Sequence, residues 1–357
     1  MSGKKTILVT GGAGFIGSNF IIHSLLKRDD IKIVNLDVLT YAGNLDNLAR
    51  IENDERYSFV EGDIRNRNLV ATILSEYKPY GVFHFAAESH VDRSIDCPDN
   101  FIATNITGTY ILLECSYRYW YSLRSTSPNS FKFIHISTDE VFGTLGSTGY
   151  FTENSSYSPR SPYSASKASS NHIVASYFHT YGFPAIVTNC SNNYGPYQFP
   201  EKLIPLVIGK CLNNERIPVY GDGRHVRDWL YVEDHCRALW TVFEKGKKGE
   251  TYNIGGNNEK TNLEMVTAVC RMLDGLMPSK EHSLYTELIA FVQDRPGHDR
   301  RYAIDATKIR QELGWYPEEN IQSGIQKTVA WYLENSSWLE RINRRVYHGD
   351  RLGKIDE

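Results

Sequence analysis

The sequence predicts an α/β fold in which a doubly wound parallel sheet carries a smaller, interleaved C-terminal lobe that binds substrate. Three observations predict it. A glycine-rich turn separates a short apolar run from a helical pattern at the start of the chain; β-branched runs then alternate with helical ones as far as residue 190; beyond that the alternation decays into short elements.

Residues 5–10 form an apolar, β-branched run that breaks at Gly11-Gly12-Ala13-Gly14-Phe15-Ile16-Gly17 and resumes with helical spacing through Phe20, Ile21, Leu25 and Leu26. The expected elements are a strand, a tight turn and a helix. Gly11 allows the turn, Gly14 lets backbone approach a pyrophosphate, and Gly17 lets helix and strand pack closely. The N–H groups and positive dipole end of that helix then face the phosphates. A second strand, 31–36, ends in Asp37, 20 residues after Gly17, where a carboxylate holds an adenine-ribose hydroxyl and repels a 2′-phosphate. NAD is therefore the expected cofactor, bound to a Rossmann-type unit.

Strands at 57–60 and 81–85 flank a helix at 69–77. A helical pattern covers 100–121, and strand 131–137, helix 163–181 and strand 184–190 follow. Such a βαβ series closes into a parallel sheet. The serine-rich stretch 155–170 resembles a linker in composition, but the helix that runs on from it argues otherwise, leaving the loop 144–161 open to movement. Downstream come helix 202–213, strands 217–220 and 229–231, and then helix 233–244 and strand 251–254, which are expected to return to the sheet. The expected division is a dinucleotide-binding domain over 1–190, with returning segments near 232–258, and a substrate lobe over most of 191–357.

With 357 residues, 41% hydrophobic and 12% aromatic, the chain is long enough for two ordinary domains with cores of their own, and a formal net charge of −3 offers no basic footprint for nucleic acid. The six cysteines fall singly without CxxC spacing, and none of the 11 histidines pairs at HExxH or HxH spacing, so no metal is expected. Isolated thiols fit a reducing compartment, no run approaches the ~18 apolar residues of a membrane span, and Met1 leads directly into the first strand. The expectation is a cytoplasmic protein with a small-molecule substrate and neither membrane nor nucleic-acid partners.

Ligands of such sheets bind beyond the carboxyl ends of the strands. The segments that carry chemistry gather there: Gly11 to Gly17, Asp63-Ile64, Ala86-Ala87-Glu88-Ser89-His90, and Ser137-Thr138-Asp139-Glu140. Tyr163 and Lys167, four apart, share one helix face. A phenol of pKa about 10 is a poor base until a neighbouring ammonium stabilises the phenolate. With Thr138 hydrogen-bonding the same substrate oxygen, the trio can take a proton from an alcohol while NAD accepts the hydride. Asp139 and Glu140 add a capacity that oxidation alone does not need. Elimination of water requires one carboxyl as base and another kept protonated as acid, and a closed site can push two adjacent pKa values apart in that way.

The glycine spacing, Asp63-Ile64, the strand into Ala86-Ala87 and the Tyr163/Lys167 pair make the chain resemble the extended short-chain dehydrogenase/reductases that act on nucleotide sugars, over nearly its whole length. Residues 86–94 (AAESHVDRS), 137–143 (STDEVFG), 190–196 (CSNNYGP), 198–203 (QFPEKL), 227–229 (RDW) and 294–300 (DRPGHDR) are similar to the sugar-nucleotide 4,6-dehydratases among them. The resemblance implies conversion of dTDP-glucose to a 4-keto-6-deoxy sugar nucleotide, by oxidation at C4, loss of water across C5 and C6, and return of the hydride to C6. It implies that Tyr163 takes the 4-hydroxyl proton, Glu140 the C5 proton, and that Asp139 protonates the departing 6-hydroxyl.

It further implies that Gly11, Gly14, Phe15, Ile16, Gly17, Asp37, Thr40, Asp63 and Ile64 hold NAD, joined by Phe85, Ala86, Ala87, Ser89, Thr104, Tyr163, Lys167 and Asn193. Ser89, Thr138, Asn192, Lys202, Leu203, Pro218 and Tyr220 would meet the sugar nucleotide, as would Arg227, Asn262, Asp294, Arg295 and His298. Arg227 and Arg295 suit a diphosphate because a guanidinium bonds phosphate oxygens bidentately. The helix bearing Tyr110, Tyr117, Tyr119, Trp120 and Tyr121 has more aromatics than one buried stripe can hold, which together with the resemblance implies a homodimer through a helix interface. A UDP- or GDP-sugar dehydratase, a sugar-nucleotide 4-epimerase and a non-catalytic dinucleotide sensor stand as alternatives. The acid pair argues against the epimerase, and the presence of Tyr163 and Lys167 argues against the sensor.

Overall fold

The computed structural model of the protein describes residues 4–124 and 131–345. Residues 346–357, placed in the C-terminal lobe by the sequence, lie outside the described residues. In chain order the strands are β1 (Lys5–Thr10), β2 (Ile31–Asp37), β3 (Tyr57–Glu61), β4 (Gly81–His84), β5 (Lys132–Thr138) and β6 (Ala185–Cys190). They continue with β7 (Asn192–Tyr194), β8 (Ile217–Tyr220), β9 (Val226–Tyr231), β10 (Thr251–Ile254), β11 (Glu259–Thr261) and β12 (Ile289–Val292). Seven of them build one sheet in the order β10-β6-β5-β4-β1-β2-β3, every neighbouring pair parallel. The strand order reverses between β1 and β4. That reversal opens a crevice at the carboxyl ends, where ligands bind in sheets of this kind.

Both faces of the sheet are covered, so the strands are apolar on both sides. Ile7, Val9, Phe83, Ile134 and Ile136 pack under the helices Phe15–Lys27 and Val232–Lys245, where Phe20 stacks on Trp240. Leu8, Val34, Val82, Phe133 and Val187 pack under the helices Arg67–Tyr77, Thr109–Leu123 and Pro162–Tyr181. Phe133 is 0% exposed. Phe133→Ala should therefore lower unfolding free energy by about 3–5 kcal/mol, the usual cost of removing a buried ring, read as a shift of the urea midpoint with unchanged slope.

A second core forms where Val207, Ile217, Trp229, Val266, Val269 and Tyr332 meet between the helices Leu203–Leu212, Asn262–Leu276 and Ile321–Glu334. Two small sheets cap it, β11-β9-β7 and β12-β8. Among the described residues no helix is long and apolar enough to cross a membrane.

One segment differs in detail from the sequence reading, and a second gains detail. The helical stretch expected over 100–121 is not uniform: Pro98–Phe101 is α-helical, Ile102–Gly108 widens into a π-helical turn, and Thr109–Leu123 resumes the α-helix. Close packing accompanies the widening. A Cβ on Gly108 would lie 2.7 Å from the Ile64 side chain, and the side-chain amide of Asn105 leaves the helix to bond Glu88 N, Glu88 O and Ser166 Oγ. The loop 144–161 is tied down at several points. Leu145 N donates to Arg301 O, Phe151 N to Ala303 O and Ser158 N to Val141 O, and the Arg301 guanidinium holds the carbonyls of Gly146 and Gly149.

Candidate active site

The end of β5 sets the site. Thr138 caps a short 3₁₀ turn, Asp139–Phe142, by accepting from Glu140 N at 3.3 Å, so the chain reverses within one turn of the strand and brings both acids to the crevice. Gly143 ends the turn at φ +83°, and a Cβ there would stand 2.4 Å from Ser158 O. The helix Pro162–Tyr181 begins beside it with a capping box between Ser161 and Ser164 and a proline in its first turn. This fixes Tyr163 one residue inside the helix, with Lys167 a turn later on the same face.

The crevice, about 550 Å3, is lined by Gly11, Gly14, Phe15, Ile16, Gly17, Asp37, Thr40, Asp63 and Ile64 on one side of the switch point. Phe85, Ala86, Ala87, Ser89, Thr104, Thr138, Asp139, Glu140, Tyr163, Lys167, Asn192, Asn193 and Lys202 complete the lining among the residues expected from sequence. The glycine turn fits a dinucleotide. Gly11 has φ +73°, and a Cβ on it would collide with Ala86 backbone at 2.5 Å, while one on Gly17 would lie 2.3 Å from Gly11 O. At Gly14 the nearest atom would be Gly11 O, 3.4 Å away at ordinary contact distance, and the residue lines the crevice. Asp37 braces the turn, accepting from Ala13 N at 2.9 Å through one oxygen and from Leu39 N at 2.8 Å through the other. Asp63 is committed to Arg65, whose guanidinium and backbone both donate to it.

Tyr163 and Lys167 are buried. Burial holds the phenol well above its ordinary pKa, the Glu140 carboxyl adding to the rise and a hydrogen bond with Thr138 opposing it. Burial also lowers the Lys167 ammonium to about 8, and its Nζ donates to Ile136 O at 2.8 Å. The two acids next to them differ in their surroundings. Asp139 is 1% exposed, one of its oxygens has no partner, and burial, then the charges of Glu140 and Asp228, push its carboxyl well above the carboxylate range. Burial raises Glu140 too, but Arg295, Arg227 and Lys202 all pull it back. Both carboxyls are raised, but three cations oppose the rise at Glu140, whereas at Asp139 Arg227 is the cation that opposes burial and two neighbouring carboxylates.

Arg227, Tyr220, Arg295, Asp294 and His298 gather in the adjoining wall rather than in the crevice lining. Arg227 spans Val226 O and Asp299 O and lies 4.2 Å from the Tyr302 ring centre; Arg295 Nη1 donates to Asp92 at 2.9 Å, and Tyr220 OH to the same carboxylate at 3.3 Å. Leu203 opens its helix, Pro218 lies in β8 opposite Ala290, and Asn262 N donates to His225 O at the start of the following helix. His225 and His298 share the Asp294 carboxylate at 3.2 and 2.6 Å. This triad has metal-ligand chemistry, but its rings are stacked 3.6 Å apart at 14°. One ion cannot lie in both of two parallel ring planes, so the lone pairs cannot converge and the stack is a hydrogen-bonded one. Burial and then Arg295 hold His298 down to about 3, neutral and able to donate to Asp294.

Residues 8–328 match the family described as GDP-mannose 4,6 dehydratase. Over 348 residues, 98% of this chain and 99% of the relative, the sequence is 56% identical to the dTDP-glucose 4,6-dehydratase of Xanthomonas campestris pv. campestris (strain B100). The chain belongs to the dTDP-glucose 4,6-dehydratase family. Two solved members are similar throughout. The Bacillus anthracis str. Ames enzyme, in complex with NAD, is 46% identical with a TM-score of 0.84, covering 95% of this chain and 99% of that one. The Streptomyces venezuelae enzyme, with NAD and TYD bound, is 43% identical with a TM-score of 0.85, covering 94% and 99%.

Several residues at this dehydratase site were not singled out from sequence. Glu201 lies inside the QFPEKL motif and lines the crevice with its side chain 4% exposed. Asp92 lies inside AAESHVDRS and joins Arg295 to Tyr220. Tyr302, just past DRPGHDR, donates to Asp299 at 2.5 Å, and burial and then Glu140 raise its phenol. The first two motifs were visible signals; nothing in the spacing of Tyr302 points to Arg227.

Proposed function

We propose that the protein converts dTDP-glucose to dTDP-4-keto-6-deoxyglucose with bound, recycled NAD. The observation that carries this reading is the acid pair: two adjacent carboxyls at one strand end, one held well above the carboxylate range by burial and neighbouring carboxylates and one faced by three cations, beside a buried Tyr/Lys pair. Oxidation alone needs only the second pair.

When bound, NAD supplies the hydride acceptor for C4, the donor for C6 and a positive ring charge beside the phenol. Tyr163 takes the 4-hydroxyl proton while Thr138 hydrogen-bonds the same oxygen, and Lys167 stabilises the phenolate. The 4-ketone then acidifies C5–H. Glu140 removes that proton, and Asp139 gives its own to the 6-hydroxyl, which leaves as water. Glu140 finally returns a proton to C5 as C6 is reduced. Tyr163 ends protonated and Asp139 ionised, and exchange with water resets both.

Lys202, Asn192, Ser89, Arg227, Arg295, Asn262, Asp294 and His298, with Tyr220, Leu203 and Pro218, are assigned in this reading to the sugar nucleotide. Asn192 Oδ1 is buried without a partner, as is Arg295 Nε, which leaves a polar atom on each to meet a ligand. The division into a cofactor domain over 1–190 with returning segments and a substrate lobe beyond belongs to the same reading. A homodimer does too. Trp120 is buried and Tyr117 packs against Tyr177, Tyr181 and Phe183, but Tyr110 and Tyr121 remain 42% and 56% exposed beside Tyr181 at 47%. A cytoplasmic location agrees with six free cysteines.

Purified protein given dTDP-glucose, UDP-glucose and GDP-mannose in parallel should lose one water from the first alone, read by mass. Turnover of the UDP or GDP sugar at an equal rate would move the assignment to another nucleotide. Asp37→Ala, which removes both the ribose acceptor and the brace on the turn, should weaken NAD binding by about tenfold or more and narrow its preference over NADP. Calorimetric titration with each cofactor checks this.

A further inference from the structure

One edge of the crevice is closed by side chains the mechanism does not use. The segment after β2 leaves Asp37 through Leu39 at φ +53° and is pinned to the glycine turn by Asn44 N and Asn47 Nδ2, which both donate to Ala13 O, at 3.0 and 2.9 Å. Its Tyr41 reaches the opposite wall. Tyr41 OH donates to Glu201 Oε1 at 3.1 Å, and Arg93 Nε, from the helix Val91–Asp96, donates to Glu201 Oε2 at 3.2 Å. The Arg93 guanidinium lies 3.8 Å from the centre of the Tyr41 ring, and Phe199 meets the same ring edge-on at 5.5 Å. Tyr41 and Glu201 line the crevice together with the glycine turn and Asp37.

We propose that Tyr41, Arg93 and Glu201 form a latch that retains the dinucleotide by joining the wall that holds it to the wall that holds the sugar nucleotide. The inference rests on the reading of the crevice as an NAD site. Its chemical logic follows from the reaction: the hydride taken from C4 is returned at C6, so the cofactor ends each cycle as it began and has no need to leave. The sugar nucleotide must come and go. A contact that crosses the cofactor's edge of the crevice separates the two requirements.

The latch is built to stay shut. The Glu201 side chain is 4% exposed and both oxygens are used, so releasing either partner leaves a buried charge underpaired. Burial and then Glu201 raise the Tyr41 phenol far above its usual value, so Tyr41 remains a donor at any working pH. Arg93 contributes a second kind of contact, a cation against the ring face, which a hydroxyl deletion leaves in place.

The test is a chase. Protein loaded with radiolabelled NAD is passed through a desalting column, diluted into excess unlabelled NAD, and sampled for retained label over time. Tyr41→Phe, which keeps ring and packing, should release label about tenfold faster, as expected for one lost hydrogen bond to a charged group. Tyr41→Ala, which also removes the surface under Arg93, should release it on the order of 10²-fold faster. Circular dichroism establishes that each variant is folded, and the conservative Tyr41→Phe keeps the test valid should the alanine variant not fold. Release at the wild-type rate from folded Tyr41→Phe and Tyr41→Ala overturns the latch. A wild-type protein that captures no labelled NAD overturns the cofactor reading itself, which is a different result from equal release by all three.

Discussion

Tyr163→Phe should lower kcat by on the order of 10²-fold to 10⁴-fold, the range for loss of a positioned acid or base, while NAD and dTDP-glucose still bind. In the proposed mechanism the phenol receives the 4-hydroxyl proton, and no later step can begin until it has done so. Its surroundings make the prediction specific. In the protein alone burial and Glu140 keep Tyr163 protonated, and Lys167, lowered to about 8, is the only ammonium on its helix face. Lys167→Met should therefore produce a comparable loss, with the surviving activity displaced to higher pH, because the phenolate then lacks its cation. Single-turnover assays at saturating cofactor, with affinity measured separately, distinguish these losses from weak binding. Near-normal turnover by Tyr163→Phe would place the base elsewhere, Tyr302 being the other phenol next to Glu140.

The sheet was legible in the sequence because each strand is both apolar and bounded. β1, β2, β4, β5, β6 and β10 fall within a residue or so of the runs read from periodicity, since a parallel strand covered on both faces leaves no polar position to blur the pattern. The crevice followed from topology, because ligands lie where the strand order reverses. What escaped is what depends on partners far away in the chain. β7, β11 and β12 are three or four residues long and are defined by pairing with β9 and β8, not by their own composition. The π-helical turn answers to Ile64 and Ser166 across the fold. Glu201 and Tyr302 became visible only as neighbours of Arg93 and Arg227. The electrostatic difference between Asp139 and Glu140 also lay beyond the sequence pattern: Arg295 and Lys202 act on Glu140, Asp228 raises Asp139, and none of these is near the pair in the chain.

That difference yields the sharpest expectation. Wild-type turnover of dTDP-glucose in D2O should place one solvent deuterium at C5 of the product and carry a deuterium initially at C4 to C6. Glu140→Gln cannot take the C5 proton, so water loss should slow on the order of 10²-fold to 10⁴-fold. Asp139→Asn should slow it for another reason: the 6-hydroxyl would have to leave unprotonated. A substrate whose 6-substituent departs as a stable anion, such as fluoride, separates the two. It should restore much of the Asp139→Asn rate and little of the Glu140→Gln rate, because only the first variant lacks an acid for the leaving group. The pH dependence has a definite sign. In the proposed mechanism Asp139 works protonated, and burial with Glu140 and Asp228 holds its carboxyl well above the usual range, so elimination should fall as pH rises past that raised value. With the 6-fluoro substrate this alkaline fall should flatten. If Glu140→Gln loses water as fast as wild type, the C5 base lies elsewhere; if C5 gains no deuterium, the elimination assigned to the acid pair is wrong and the epimerase reading must be reopened.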